Sequence, residues 1–331
     1  MPSLDLDAAG LVADSLFAPD AAHGRSLALV VMQSGDVQVE RYGTQPDTVF
    51  GPGGPVAADT TLISWSMAKS ITHAAVGILV GEGRLSLDAP APVAAWRGTD
   101  KETITLQHLL NMRSGLHFVE DYVDDAVSNC IEMLYGDGQH DMAAYAASQP
   151  LDHRPGEVWN YSSGTTNIVA RIVGETVAAD GVSRRDTTEA FLRDRLFAPA
   201  GMHSAIPKFD TAGTFVGSSY VYATALDFAR FGEMYRNDGA AADGTRVVPA
   251  GWRDHARTFT AHDDDGGFDY GAHWWMWPDL PGSFGCHGYE GQFTLVVPDR
   301  ELVVVHLGKT PADLSPVLVA HLRSLVSAAT A

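Results

Sequence analysis

Residues 64–90 read SWSMAKSITHAAVGILVGEGRLSLDAP. Ile71, Ala74, Ala75, Ile78 and Leu79 recur at helical spacing, and Gly81 and Gly83 end the run, which predicts a helix over 66–82. Ser66 and Lys69, three apart, share one face at its start. A serine hydroxyl is a weak nucleophile until a base takes its proton. A lysine in an apolar, partly dry setting loses some preference for its charged form, so Lys69 can serve as that base or hold another beside Ser66. The helix N-terminus adds free backbone N–H groups at the reacting atom. An isolated S-x-x-K match is weak; the Gly/Pro-rich loop Gly51–Pro55 before it and the apolar helix behind it strengthen the reading.

Moving outward, Leu27–Gln33, the turn Gly35-Asp36 and Val37–Tyr42 predict an N-terminal β-hairpin. Short helices are expected at Thr105–Met112, with Thr103 or Thr105 as cap, and at Asp141–Ser148, Thr165–Ala178 and Thr187–Leu196. Thr224–Asp238 is a further helix. Strands follow at His273–Trp277, Gln292–Val297 and Leu302–Leu307, the last two joined by a turn at residues 298–301, and Pro316–Ala328 closes with a helix. With strands at both ends and helices between, the expected class is α+β: an antiparallel sheet flanked by helices, with an inserted α-helical lobe. Residues 1–331 form a single domain in this reading. Residues 25–84 and 213–331 make the α/β lobe, and 85–212 the mainly helical lobe.

The chain has 331 residues, 45% hydrophobic and 19% charged, enough for a large core without metals or disulfides. Its 22 basic and 41 acidic residues give a net charge of -19, which opposes nucleic-acid backbones and anionic membranes. Cys130 and Cys286 are expected to be reduced thiols in a cytoplasmic protein. The acidic N-terminal segment lacks a basic targeting region, and no apolar run is long enough to span a bilayer.

The opening stretch resembles the nucleophile helix of the serine β-lactamase and penicillin-binding-protein superfamily. The likeness continues, in order, through TLQHLLNMRSGL (105–116), PGEVWNYSSGTTNIVARIV (155–173), FVGSSYVYATALDFARFG (215–232), YGAHWW (270–275) and GYEGQFTLVVPDRELVVVHLGKT (288–310). It covers roughly residues 25 to 325. Its branch is similar to class C-type esterases and amidases, including the 6-aminohexanoate-dimer hydrolases.

This resemblance implies a β-lactamase/transpeptidase-like fold and Ser66, Lys69 and Tyr161 as the catalytic group. Tyr161 would take the Ser66 proton beside the Lys69 cation and later return it to the leaving group. It implies backbone N–H donors of Ser66 and Tyr289 for the oxyanion. Ser163 stands where lactam-hydrolysing members carry asparagine. Cys286-His287-Gly288 is the nearest match to the third motif; His287 there is either a substrate contact or a histidine between strands. Tyr122 matches a tyrosine reaching the leaving-group side, with a surface-loop tyrosine as the other reading. Trp274 and Trp275 alternate on a strand, so one can face the pocket, and Trp274 is carried as the candidate.

No zinc-binding, EF-hand, Walker or G-x-S-x-G pattern stands out, so no metal or cofactor is expected. The reading is a serine hydrolase cleaving small esters or linear amides through an acyl-enzyme on Ser66. A β-lactamase or D-alanyl-D-alanine carboxypeptidase is the alternative within enzymes. A non-catalytic binding protein retaining the fold is the alternative from another class. The expected partner is a small-molecule substrate; oligomeric state is not legible. Substrate choice is assigned to loops around 117–140 and 255–285.

Overall fold

The computed structural model describes residues 2–48, 51–122 and 127–330. Residues 123–126, within the expected substrate loop 117–140, lie outside the described residues. Helix α1 (Leu6–Leu16) opens the chain, capped by the Asp5 side chain accepting from Ala8 N. The sequence reading assigned no element here. The signal is short: Ala9, Ala13 and Leu16 form a narrow buried stripe, while the apolar Leu6 and Leu11 lie exposed and blur the period.

The hairpin follows as β1 (Arg25–Gln33) and β2 (Asp36–Tyr42), with Ala28 opposite Tyr42 and Val30 opposite Glu40. β3 (Thr44–Gln45) pairs with β4 (Gly54–Pro55). β5 (Leu62–Ile63) leads through a 3₁₀ turn at Trp65–Met67 into α2 (Ala68–Gly81). The helical region contains α3 (Leu106–Leu110), α4 (Asn129–Tyr135), α5 (Met142–Ser148), α6 (Ser163–Val177) and α7 (Arg184–Phe191). Thr105 caps α3 with a reciprocal hydrogen bond from its own N–H to His108. The last helix begins before the expected Thr187, because the Ser183 hydroxyl caps Asp186 N, and runs on into a π-turn at Leu192–Phe197.

β6 (Ile206–Pro207) and β5 flank β7 (Val221–Ala223) in a small sheet. Next come α8 (Ala225–Arg236), α9 (Trp252–Ala256), β8 (Ala261–Asp263), β9 (Phe268–Tyr270), β10 (Trp275–Met276), β11 (Phe284–Gly288), β12 (Gln292–Val297), β13 (Leu302–Lys309) and α10 (Ser315–Ser327). Among the described residues the main sheet has eight strands, in the order β2-β1-β13-β12-β11-β10-β9-β8, with every neighbouring pair antiparallel. β1 and β13 pair Val30 with Val305, so strands from the two ends of the chain are neighbours inside the sheet, one strand in from its β2 edge. The fold is therefore the expected mixed class, an antiparallel sheet covered by helices.

Both faces are covered, which explains why β1 and β13 carry near-continuous apolar runs, Leu27–Met32 and Leu302–Val305. Leu29, Val31, Leu295 and Val304 pack under α1 and α10 with Ala13, Leu318 and Leu322. Val30, Met32, Val303 and Val305 join the other core, which holds Phe228 and Phe231 of α8 and the apolar residues of α2 from Ala68 to Leu79. Helix α2 is buried at every position from Ala68 to Leu79, as a central helix must be when protein surrounds it. Among the described residues no helix is long and apolar enough to cross a membrane. Cys130 and Cys286 are free and buried.

Candidate active site

Two helix starts meet at the site. Ser66 lies in the turn feeding α2, and Lys69 in the first turn of α2. Tyr161 stands just before Ser162, whose hydroxyl caps α6 by accepting from Thr165 N; Ser163 is the first residue of α6. Packing α2 against α6 joins residues almost a hundred positions apart. Lys69 Nζ is 3.0 Å from Ser66 Oγ, 2.9 Å from Ser163 Oγ and 3.1 Å from the Ser218 carbonyl oxygen. An ammonium has three N–H donors, and three acceptors surround this one.

The nucleophile turn is held from several sides. Ser64 N donates to Val221 O at 2.8 Å, and Val221 N donates to Ser64 Oγ at 3.1 Å. Trp65 adopts φ +43, a left-handed conformation unusual for a bulky side chain, directly before Ser66. On the sheet side, Gly288 ends β11 against this turn. A Cβ there would lie 2.4 Å from Ser64 O, so only glycine permits the approach. That contact places the following residue, Tyr289, with Ser66 on one pocket wall.

The pocket has a volume of about 220 Å³ and is lined by Trp65, Ser66, Tyr122, Tyr135, Ser219 and Tyr289, with Ile131 and Leu134 from α4. The Tyr289 ring meets Tyr122 at 5.1 Å and Trp65 at 5.9 Å between centroids. Among the described residues the lining carries aromatic, aliphatic and hydroxyl groups and no cationic side chain. Lys309 is paired with Glu290 at 2.5 Å.

The electrostatics divide the two proton-handling groups. Burial lowers the Lys69 pKa, while Glu120 and, less strongly, Cys130 oppose the shift. Burial raises the Tyr161 pKa, and the Glu120 charge adds to it; a hydrogen bond with Ser66 works the other way. In the resting site these influences favour the phenol over the tyrosinate. Lys69 Nζ stands 4.8 Å from the Tyr161 ring centroid. Tyr161 is held as a phenol and Lys69 is eased towards the amine.

Two expectations are corrected by position. Trp274 does not face the pocket: it is fully buried, 4.3 Å from Tyr235 and 5.2 Å from Phe284 between ring centroids. Its neighbour Trp275 takes the site side, 5.3 Å from Tyr161 and 4.7 Å from Tyr270. The strand is shorter than expected because His273 turns the chain at φ +59. His287 does not line the Ser66 pocket. It stacks on Trp275 at 5.4 Å and accepts a hydrogen bond from Trp277 Nε1 at 3.0 Å. Burial pushes its pKa down to about 3, so it is neutral and supplies no charge for a substrate carboxylate.

Glu120, two residues before Tyr122, is a site residue that the sequence analysis does not single out. In the structure its carboxylate accepts from Ser163 N at 2.7 Å, Ser163 Oγ at 2.5 Å and Tyr122 Oη at 2.7 Å. No local pattern announces it, because its partners come from α6 and from its own loop. Trp159 and Tyr270, which also surround Tyr161, were hidden for the same reason. Among the described residues no cluster of histidine, cysteine and carboxylate side chains is arranged to hold a metal.

A hydroxyl, an amine and a phenol gathered at two helix starts on this fold define a serine hydrolase. Comparison makes the family plain: residues 13–321 match the Beta-lactamase family model, and the chain belongs to that family. It is 27% identical over 305 residues to the 6-aminohexanoate-dimer hydrolase of Paenarthrobacter ureafaciens, covering 86% of this chain and 72% of the relative. It is 30% identical over 200 residues to esterase EstB of Burkholderia gladioli, covering 54% and 49% respectively. The octameric penicillin-binding protein homologue of Pyrococcus abyssi superposes with a TM-score of 0.71 at 18% identity, over 97% of this chain and 77% of that one.

Proposed function

We propose that the enzyme cleaves small, neutral esters and linear amides through an acyl-enzyme on Ser66. The observation that carries this is the 3.0 Å contact between Ser66 Oγ and a buried Lys69 whose other two donors are already engaged. Lys69 as the amine takes the Ser66 proton while Ser66 Oγ attacks the carbonyl carbon. The new ammonium keeps all three N–H groups satisfied. Charge developing on the carbonyl oxygen meets the backbone N–H groups of Ser66 and Tyr289. Tyr161 gives its proton to the leaving alkoxide or amine and is reprotonated from Lys69. Water then attacks the acyl-enzyme by the same steps in reverse order.

Among the described residues the pocket lining carries no charged side chain, which favours neutral acyl groups over substrates recognised by a carboxylate. That argues against a β-lactamase or D-alanyl-D-alanine carboxypeptidase. The presence of Ser66, Lys69 and Tyr161 together argues against a non-catalytic binding protein. The net charge of -19 fits a small-molecule substrate rather than a polyanion or a membrane surface. Free buried thiols at Cys130 and Cys286 fit a cytoplasmic setting.

Turnover of short-chain p-nitrophenyl esters, linear oligoamides and nitrocefin, with mass detection of the Ser66 adduct, tests the proposal. Esters turning over with an acyl group on Ser66 are expected. Rapid nitrocefin hydrolysis without esterase activity would overturn the substrate assignment. Undiminished labelling of Ser66→Ala by a fluorophosphonate would overturn the nucleophile.

A further inference from the structure

Four donors converge on the Glu120 side chain. Ser163 N lies 2.7 Å from Oε2. Ser163 Oγ at 2.5 Å, Tyr122 Oη at 2.7 Å and Cys130 Sγ at 3.6 Å surround Oε1. Only an ionised carboxylate accepts at every one of these contacts; an amide would turn its NH₂ towards a donor. The Ser163 hydroxyl has one proton, and that proton is committed to Glu120. Its oxygen is then free to accept from Lys69 Nζ at 2.9 Å. The order Lys69 N–H, Ser163 O–H, Glu120 carboxylate is therefore fixed in direction.

We propose that Glu120 is a positioning residue of the reaction: through Ser163 it holds Lys69 against Ser66 and supplies the counter-charge for the ammonium formed when Lys69 takes the Ser66 proton. In that step the Ser66 O–H bond breaks, an N–H bond forms on Lys69, and the serine oxygen pair becomes the bond to the acyl carbon. The inference rests on the acyl-enzyme reading above. A buried ammonium without a nearby anion is costly, so an ion two hydrogen bonds of the relay away lowers the barrier to forming it. The other groups acting on Lys69 or acted on by it are the Tyr161 phenol, the Cys130 thiol and the neutral imidazole of His273. Each is uncharged at neutral pH, with the thiol pushed up to about 12 and the imidazole down to about 3, so Glu120 is the counter-charge among them.

The test is the pH profile of kcat/KM on a p-nitrophenyl ester for the wild type, Glu120→Gln, Glu120→Asp and Ser163→Ala, with fluorophosphonate labelling and a melting curve for each. Removing the anion favours the amine, so the rising limb of Glu120→Gln should move to lower pH. Its kcat should fall about a hundredfold through misplacement of Lys69, with KM little changed. Ser163→Ala keeps the charge and breaks the relay, so kcat should fall with a smaller displacement of the limb. Glu120→Asp should restore the limb towards its wild-type position, and this reading serves if Glu120→Gln does not fold. A limb unmoved in Glu120→Gln, or in Ser163→Ala and Glu120→Asp with kcat intact, overturns the inference while leaving the nucleophile in place. A wild-type protein that neither labels at Ser66 nor turns over esters overturns the functional reading itself.

Discussion

Lys69 Nζ faces the ring of Tyr161, 4.8 Å from its centroid, while both groups interact with the Ser66 hydroxyl. Burial acts on the two in opposite chemical senses: it favours the amine on one and the phenol on the other. That contrast divides the labour into a base and an acid.

If Tyr161 serves the leaving group, its importance depends on what leaves. Tyr161→Phe should slow cleavage of alkyl esters and linear amides by about 10²- to 10⁴-fold, the range for lost general acid catalysis. A p-nitrophenolate leaves without a proton, so its ester should suffer far less. Equal losses across leaving groups, measured as kcat/KM ratios, would instead make Tyr161 the base that activates Ser66.

Lys69 sets the pH dependence. The reactive form is the amine, so kcat/KM should rise with pH as the ammonium deprotonates. Because burial lowers this pKa, the midpoint should fall below the ordinary lysine value of 10.5. A midpoint at or above that value in the ester assay would remove Lys69 as the base.

The close approach at Gly288 should be intolerant. In Gly288→Ala the new methyl meets backbone, 2.4 Å from Ser64 O, and backbone cannot rotate away. Displacing β11 from the nucleophile turn should cost about 1–3 kcal/mol of stability, as overpacking does, together with most of the esterase activity. A melting temperature and kcat equal to wild type would show that this contact does not position the oxyanion donors.

The adjacent tryptophans should separate stability from rate. Trp274→Ala empties a fully buried site and should destabilise by about 3–5 kcal/mol in denaturant melts. Trp275→Ala removes the ring against Tyr161 and should lower kcat with a smaller stability loss. The reverse pattern would return Trp274 to the pocket.

The buried thiols should be silent. Burial, with Glu120 adding to it at Cys130, pushes both Cys130 and Cys286 up to about 12, so thiolate is scarce at pH 8. Ellman's reagent should react with neither until the protein unfolds. Fast reaction of one thiol in the native enzyme would contradict this burial.

What the chain itself determined is local. The spacing of Ser66 and Lys69, the apolar period of α2, the turn between β1 and β2 and the Thr105 cap each depend on residues within one or two turns of each other. The superfamily motifs, met in order, extended that to the eventual family and to Tyr161. Tertiary structure alone decided which of Trp274 and Trp275 faces the site, because a left-handed residue at 273 resets the alternation. It alone put His287 among aromatic rings and brought Glu120 to Ser163. The direction in which burial shifts Tyr161 was likewise a tertiary matter, since desolvation depends on everything packed around a group and no single stretch of sequence carries that information.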